Sequence, residues 1–179
     1  QNKEEIEKNK VAVFSSNYHL YGDLSWRVME TLRILSPHVE VYSVDESFLD
    51  LDGIDENKLH EYALFLLYTT ELWTGIPVSI GVAPSKVLSK VANRLSKKDK
   101  EGTNGVLVLD EPKKIKEALE KTVVDDIWGV GRQYAVKLHQ LGIDNGWQLR
   151  SMPEEWARKN LGGVVGVRLI KELNGIACI

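Results

Sequence analysis

The sequence is poor in cysteine, proline and long apolar runs, and each shortage excludes a class of protein. Its one cysteine, Cys178, cannot form an intramolecular disulfide, so a disulfide-stapled secreted domain is excluded and we expect a cytoplasmic protein. Five prolines and 14 glycines among 179 residues are too few for a collagen-like or proline-rich disordered chain. The longest apolar run, residues 63–68, is far shorter than the roughly 20 residues of a transmembrane helix, so no membrane partner is expected.

The common metal and nucleotide motifs are also missing. The four histidines are scattered and the cysteine is alone, so no zinc spacing occurs. Neither a P-loop pattern nor a Gly-x-Gly-x-x-Gly pattern after a strand is present, which argues against P-loop and dinucleotide-binding folds. The chain begins at Gln1 with no apolar leader, so we expect a fragment of a longer protein rather than a signal peptide or a natural start.

The net charge of −3 conceals an uneven distribution of charged residues. Residues 38–72 contain nine acidic residues and one lysine, whereas residues 86–100 contain six basic residues and one aspartate. An acidic block that lies next to a basic block favours a protein that handles cations and phosphates together.

Apolar spacing and turn residues predict an α+β first part and a helical second part. Asn17 is a candidate N-cap for a helix that ends near Ser36, before Pro37. The other predicted elements are strands at 11–14, 39–44, 47–51, 78–82 and 106–109, a helix over 56–73 closed by Gly75, and a helix that begins at Pro84. We place a domain boundary near Asp110, which separates residues 1–110 from a helical unit over residues 111–179.

Asp45 and Glu46 are the first candidate site. They separate two strand-forming runs, so we expect a tight hairpin with both carboxylates at its bend. In an unbroken strand the two side chains would point to opposite faces, but at a bend they can share a ligand. Hard oxygen ligands suit Mg²⁺. The plain alternative is a solvated acidic turn, since Asp and Glu are common in turns.

A glycine turn, residues 127–131, is the second candidate. Gly129 and Gly131 allow a sharp reversal between helices and present free amide groups at a helix N-terminus, which suits a phosphate oxygen. Apolar residues behind the turn and Gly142 after the next helix predict a helix-hairpin-helix. A purely structural helical corner remains the alternative, and we interpret Trp128 as packing rather than as a base-stacking platform.

A basic stripe on the helix after Pro84 is the third candidate. Lys86, Lys90, Arg94 and Lys97 recur on one face, and Lys97 is followed directly by Lys98. Such a stripe can hold a triphosphate or a nucleic-acid backbone. It can equally be an ordinary solvated face.

Taken together, these motifs resemble the Y-family translesion DNA polymerases, most closely their UmuC-like members. Four motifs occur in the family's order, at residues 14–18, 42–51, 81–92 and 124–132. The resemblance implies part of a polymerase palm, with a mixed or antiparallel sheet and helices on one face, followed by a small helical thumb with a helix-hairpin-helix. It also implies template-directed nucleotidyl transfer in DNA-damage tolerance.

The resemblance assigns roles to particular residues. Asp45 and Glu46 match the palm carboxylates that hold two Mg²⁺ ions, and Lys97 matches the residue that reaches the triphosphate of the incoming deoxynucleotide. Gly129, Val130, Gly131 and Arg132 match the thumb turn that follows the DNA backbone. The implied partners are primer-template DNA and a deoxynucleoside triphosphate, with accessory subunits, a sliding clamp and a recombinase filament around the whole enzyme.

The chain departs from the family pattern at both ends. A first strand with a third metal-binding Asp, the residues that cover the nucleotide and the little-finger domain do not appear in it. We therefore expect weak or no catalysis from this chain alone, and self-association through the sheet edge that the first strand would cover. Two alternatives stay open, a noncatalytic DNA-binding module and a folded remnant without activity.

Overall fold

The computed structural model describes residues 3–179, which form ten α-helices and four short β-strands. The helices are α1 (Lys3–Lys8), α2 (Tyr18–Leu35), α3 (Leu59–Thr74), α4 (Lys86–Lys98), α5 (Lys100–Thr103), α6 (Pro112–Lys121), α7 (Arg132–Gln140), α8 (Gly146–Arg150), α9 (Glu154–Asn160) and α10 (Val164–Leu173). The strands are β1 (Val39–Val41), β2 (Ser47–Leu49), β3 (Ile80–Val82) and β4 (Val106–Val108), and 3₁₀ turns lie at Glu56–Lys58 and Val124–Asp126. The predicted α+β class is confirmed. Within residues 3–179, no helix is both long and apolar enough to cross a membrane.

Helix α2 begins and ends where its sequence signals lie. The Asn17 side chain accepts a hydrogen bond from the Leu20 N–H at 3.1 Å, and Ser36 terminates the helix. The strand predicted over residues 11–14 is wrong. That segment has no regular structure, and its Val13 and Phe14 are 70% and 86% exposed. A strand needs a neighbour to pair its backbone groups, and no described strand lies beside this segment.

The strands form two separate two-stranded sheets. β1 and β2 are antiparallel, with Val41 opposite Ser47, and the loop over residues 42–46 closes this predicted hairpin. β3 and β4 are parallel, with Gly81 opposite Leu107. All four strands are shorter than the apolar runs that predicted them. The chain therefore contains both antiparallel and parallel strand pairs, but each pair forms a sheet of its own.

The core is organised around α4. Its buried side chains, among them Leu88 and Val91, belong to one apolar cluster with residues of α6 to α10, including Leu119 and Leu173. A smaller cluster lies between α3 and the β3–β4 sheet and includes Leu67. Helix α4 therefore packs on the β3–β4 sheet and also on the C-terminal helices.

Helix α4 starts two residues later than predicted. Ser85, rather than Pro84, is its N-cap, and the Ser85 hydroxyl oxygen accepts a hydrogen bond from the Leu88 N–H at 3.3 Å. The strand before it approaches α4 closely at Gly81, where an added Cβ would lie 2.2 Å from the Asn93 backbone nitrogen. Only a glycine permits this approach.

Candidate functional site

The two predicted carboxylates lie at the end of the β1–β2 hairpin. Asp45 is exposed, and its Oδ1 accepts a hydrogen bond from the Ser43 hydroxyl at 2.7 Å. Glu46 is half-buried, and its carbonyl oxygen accepts hydrogen bonds from the Tyr42 and Ser43 N–H groups at 3.0 Å. These backbone bonds bring neighbouring carboxylates to one tight loop, as the sequence predicted for the bend.

Two lysines of α4 hold the hairpin by its acidic side chains. The Lys90 Nζ donates to both carboxylate oxygens of Glu46 at 2.9 Å. One helical turn earlier, the Lys86 Nζ donates to both carboxylate oxygens of Glu40 at 2.7 Å. The hairpin therefore lies against α4 with Glu40 and Glu46 paired, while Asp45 is left without an ion pair to α4.

An aromatic cluster joins the hairpin to the glycine turn. The Tyr42 ring packs edge-on against the rings of Phe48 and Trp128, with centroids 5.8 and 5.3 Å apart. The Trp128 Nε1–H also donates to the Tyr42 hydroxyl oxygen at 3.3 Å. Aromatic pairs in this geometry add roughly 0.5–1.5 kcal/mol beyond the area they bury. Trp128 is thus a packing residue, as expected, and it links two predicted sites that lie far apart in sequence.

The glycine turn precedes α7. Gly129 has a φ of +97°, which favours glycine, whereas Gly131 has a φ of −75° and is the N-cap of α7. No side chain caps α7, so the amide groups at its start are available, and Arg132 is its exposed first residue. Val130 is only 9% exposed and packs in the core. The element just before the turn is a 3₁₀ turn, Val124–Asp126, rather than an α-helix.

The basic stripe is largely neutralised by acidic residues of the same chain. Besides Lys86 and Lys90, Arg94 and Lys98 both pair with Asp126, and the Lys98 Nζ lies 3.2 Å from it. Lys97 is exposed and makes no ion pair with any residue in the described range 3–179. The acidic and basic blocks of the sequence therefore compensate each other in part, and only Lys97 of the predicted stripe is left for an external anion.

A histidine that the sequence analysis did not single out lies behind the glycine turn. The His139 Nδ1 is 2.6 Å from Asp144 and the Nε2 is 2.7 Å from Asp125. The hydrogen bonds to Asp144 and Asp125 raise the pKa of the imidazole above its usual value. The hydrogen bond to His139 lowers the pKa of the Asp125 carboxyl. A protonated His139 therefore ties the 3₁₀ turn to the loop after α7.

Most of the predicted site residues share one open groove. Asp45, Glu46, Lys97, Gly129 and Val130 all line it, and its volume is about 2070 Å³. Gly131 and Arg132 lie outside its wall. Carboxylates, an unpaired lysine and the first part of the glycine turn thus border the same space, while the free amides at the start of α7 lie just beyond it.

The carboxylate pair has the donor chemistry of a magnesium site. Carboxylate oxygens are the protein ligands that Mg²⁺ prefers, and one or two carboxylates commonly hold it together with substrate phosphates. Across residues 3–179, no group of three or more His, Cys, Asp or Glu residues is placed to hold a metal ion. By their chemistry, Asp45 and Glu46 are two candidate ligands for such an ion.

Sequence reasoning missed the partners of the site residues. Lys90 was predicted only as a member of the basic stripe. Its ion pair with Glu46, which lies 44 residues earlier in the sequence, was not predicted. The one available signal was the opposite charge of the two blocks, which predicts attraction but not the pairs. The contact of Trp128 with Tyr42, 86 residues away, had no sequence signal.

The sequence is similar to a known protein family and to several characterised proteins. The sequence model of the impB/mucB/samB family matches residues 2–94. Protein UmuC of Salmonella typhimurium is 38% identical over 178 residues, which cover 99% of this chain and 42% of that protein. DNA polymerase IV of Lactococcus lactis is 33% identical over 172 residues, which cover 92% of this chain and 44% of that protein.

The fold matches solved structures as well. An insertion ternary complex of Dbh DNA polymerase has a TM-score of 0.74 and 28% sequence identity, over 97% of this chain and 50% of that chain. The chain thus spans about two fifths of the curated relatives and half of this structural neighbour.

Proposed function

Because this chain belongs to the impB/mucB/samB family, we propose that it is the part of a translesion DNA polymerase that carries two metal-binding carboxylates and a DNA-contacting turn. The reaction is template-directed nucleotidyl transfer in DNA-damage tolerance, performed by the whole protein. Catalysis by residues 1–179 alone is expected to be weak or absent.

One observation carries the proposal, the groove bordered by Asp45, Glu46, Lys97 and the glycine turn. Phosphodiester synthesis needs cations near a polyphosphate and contacts to the nucleic-acid backbone. The groove holds candidate residues for the first, and the start of α7 beside it offers groups for the second. The 33% identity to a DNA polymerase IV and the fold likeness to Dbh DNA polymerase support the same reaction.

Each group has a distinct task in this proposal. Asp45 and Glu46 would hold Mg²⁺, with Ser43 orienting Asp45 through the 2.7 Å hydrogen bond. When bound, the two ions would lower the pKa of the primer 3′-hydroxyl and neutralise the leaving pyrophosphate. Lys97 would contact the triphosphate as a point charge, since no described residue pairs with it.

The glycine turn would contact DNA through its backbone. The free amides around Gly131 and the Arg132 side chain would bind phosphate oxygens without reading base sequence. The Val130 side chain is buried, so this residue can contribute only through its backbone. In this proposal the turn is the hairpin of a helix-hairpin-helix in which the 3₁₀ turn Val124–Asp126 takes the place of the first helix and α7 is the second helix.

The proposed partners are primer-template DNA and a deoxynucleoside triphosphate. Accessory polymerase subunits, a sliding clamp and a recombinase filament belong to the proposal for the whole protein. We also propose a cytoplasmic location, which fits the single cysteine.

A chimera tests the catalytic proposal. This chain would replace the matching segment of the Lactococcus lactis DNA polymerase IV, and Mg²⁺-dependent primer extension would be measured. We expect Asp45→Asn or Glu46→Gln to lower extension by roughly 100-fold or more, because either change removes a metal ligand. Asp52→Asn, a matched charge change at the base of the same hairpin, should leave extension near the parent level. Equal activity of Asp45→Asn and Asp52→Asn would refute the proposal.

A noncatalytic DNA-binding module is the second candidate function. The observation that favours it is that no third candidate ligand joins Asp45 and Glu46 within the part of the chain that the structure describes. In that case the chain binds duplex DNA in a salt-sensitive manner, Arg132→Ala weakens binding, and Asp45→Asn leaves both DNA binding and chimera activity unchanged.

A further inference from the structure

Lys90 occupies an unusual position on α4. Its Nζ lies 2.9 Å from both carboxylate oxygens of Glu46. The same Nζ lies 5.0 Å from the ring centroid of Tyr42 and 5.1 Å from that of Trp128. An ammonium within about 6 Å of a ring face is attracted by the ring quadrupole. The Lys90 side chain is only 22% exposed, so water weakens these interactions less than it would at an open surface.

Lys86 provides an internal comparison on the same helix. Its Nζ also donates to both oxygens of a carboxylate, Glu40, and lies 5.2 Å from the Phe48 ring centroid. Its side chain is 24% exposed. The two lysines differ in their partner. Glu46 belongs to the proposed metal pair, whereas Glu40 lies on β1 and does not.

We propose that Lys90 is a resident counter-ion of Glu46 that a divalent cation has to displace. The inference rests on the proposed function, since it concerns the metal pair assigned there. Mg²⁺ binds a carboxylate oxygen at roughly 2.0–2.1 Å. An ammonium in contact with both oxygens of that carboxylate would then lie very close to a second positive charge, which is unfavourable. The ammonium therefore leaves at least one Glu46 oxygen when the metal binds.

The aromatic rings of Tyr42 and Trp128 keep the displaced Lys90 ammonium close to the site. After it leaves Glu46, the Lys90 ammonium is still attracted by the rings of Tyr42 and Trp128. Lys90 thus keeps Glu46 ordered and charge-compensated when no metal is bound, and it lowers the affinity of the hairpin for free divalent ions. Its role is to position Glu46 and to set the metal affinity of the site.

A direct metal-binding measurement tests the proposal. Mn²⁺, which replaces Mg²⁺ and is visible by electron paramagnetic resonance, would be titrated into the wild-type chain and into variants of Lys90, Lys86, Asp45 and Glu46. Lys90→Met keeps an apolar stem against the rings and removes the charge, and Lys90→Arg retains the charge. Lys86→Met is the matched control on the same helix, and Glu46→Gln removes the ligand.

We expect Lys90→Met to lower the Kd for Mn²⁺ roughly three- to tenfold, the range that the loss of a partly buried competing ion pair implies. Lys90→Arg and Lys86→Met should leave the Kd near the wild-type value. In the double variant of Lys90→Met with Glu46→Gln, the gain should vanish, because the competition acts through Glu46. Lys90→Gln repeats the test should Lys90→Met fail to fold by circular dichroism.

Two outcomes would overturn the proposal, and they can be told apart. An unchanged or raised Kd in Lys90→Met, with Glu46→Gln still weakening Mn²⁺ binding, would overturn the counter-ion role and leave the metal pair intact. Mn²⁺ binding that is indifferent to both Asp45→Asn and Glu46→Gln would overturn the metal pair of the proposed function, and the role of Lys90 with it.

Discussion

His139 is a single residue that makes the region behind the glycine turn sensitive to pH. Its imidazole lies between Asp125 and Asp144, and the hydrogen bonds to both raise its pKa above the usual value. A group with a raised pKa in the folded state stabilises the fold below its unfolded pKa, about 6.5, and loses that contribution as the pH rises through the folded pKa. The stabilisation from this bridge is therefore present at mildly acidic pH and is lost as the pH rises through the folded pKa.

We expect His139→Asn to lower the thermal unfolding temperature at pH 5.5, and this difference from wild type should shrink as the pH is raised toward 9, because deprotonation of the folded imidazole removes its contribution. Thermal unfolding followed by circular dichroism at both pH values checks this. His60→Asn is the control, because His60 is exposed on α3 and has no carboxylate partner in the described chain. A difference between wild type and His139→Asn that is the same at both pH values would contradict the bridge.

At the scale of elements, the crossing of β3 over α4 depends on one glycine. A Cβ at Gly81 would lie 2.2 Å from both the Asn93 nitrogen and the Ser89 carbonyl oxygen, which belong to the α4 backbone. Backbone atoms cannot yield as a flexible side chain can, so strand and helix would have to separate. The separation would disturb the helix that carries Lys86, Lys90 and Lys97.

Gly81→Ala should therefore destabilise the protein by about 1–3 kcal/mol or more, measured by urea denaturation. Gly22→Ala is the matched control, because Gly22 lies inside α2 with nothing within 4 Å of an added Cβ. Alanine is a better helix former than glycine by roughly 1 kcal/mol, so this variant should be more stable than the wild type. The same Gly→Ala change is therefore expected to lower the free energy of unfolding at position 81 and to raise it at position 22. Equal changes in the free energy of unfolding at both positions would disprove the close approach of β3 to α4.

At the scale of the whole molecule, a buried carboxylate connects the C-terminal helices to α4. Glu172 is fully buried, and its Oε2 accepts a hydrogen bond from the Val87 N–H at 3.1 Å. Its Oε1 accepts the N–H groups of Cys178 and Ile179 at 2.6 and 3.1 Å. We propose that the boundary near Asp110 separates an α+β part from a helical part. The two parts share one core, because α4 packs in the same apolar cluster as the helices that follow Asp110.

Glu172→Ala should cost roughly 2–4 kcal/mol, because it leaves the buried Val87 N–H without an acceptor and removes the acceptor of the Cys178 and Ile179 N–H groups. Since α4 belongs to the larger core, tryptophan fluorescence and far-ultraviolet circular dichroism should report one coincident urea transition, shifted by the variant. Glu155→Ala, an exposed position on α9, should leave the midpoint nearly unchanged. Two separate transitions would instead indicate that residues 1–110 and 111–179 unfold independently.

Self-association is the second prediction at this scale. Among the described strands, β2 pairs only with β1 and β3 pairs only with β4, so each small sheet has open edges. We expect a concentration-dependent increase of the sedimentation coefficient, and Ser47→Lys on β2 should reduce it more than Ser151→Lys on an exposed loop. A chain that sediments as a monomer at every concentration would rule this out.

Local signals in the sequence predicted the elements and the tight loop. Asn17 caps α2 and Gly75 ends α3, and the β1–β2 hairpin brings Asp45 and Glu46 to its loop, because each depends on residues a few positions apart. The segment over residues 11–14 has the same local signals as a strand, but strand formation depends on a partner that local sequence cannot supply. Its prediction was wrong for that reason.

By itself the sequence predicted α2, α3 and, within two residues, the start of α4, the helical character of residues 111–179, the carboxylate loop and the family to which the chain belongs. Only the tertiary structure decided which distant groups meet, namely the Lys90 ammonium with the Glu46 carboxylate across 44 residues and the Val87 N–H with the Glu172 carboxylate across 85. It also decided that Lys97, alone on its stripe, has no ion-pair partner within residues 3–179. The physical reason is range. Helix caps, turn hydrogen bonds and apolar periodicity join residues one or two turns apart, whereas the ion pair, the ring contacts and the Glu172 hydrogen bonds form only after distant segments pack together.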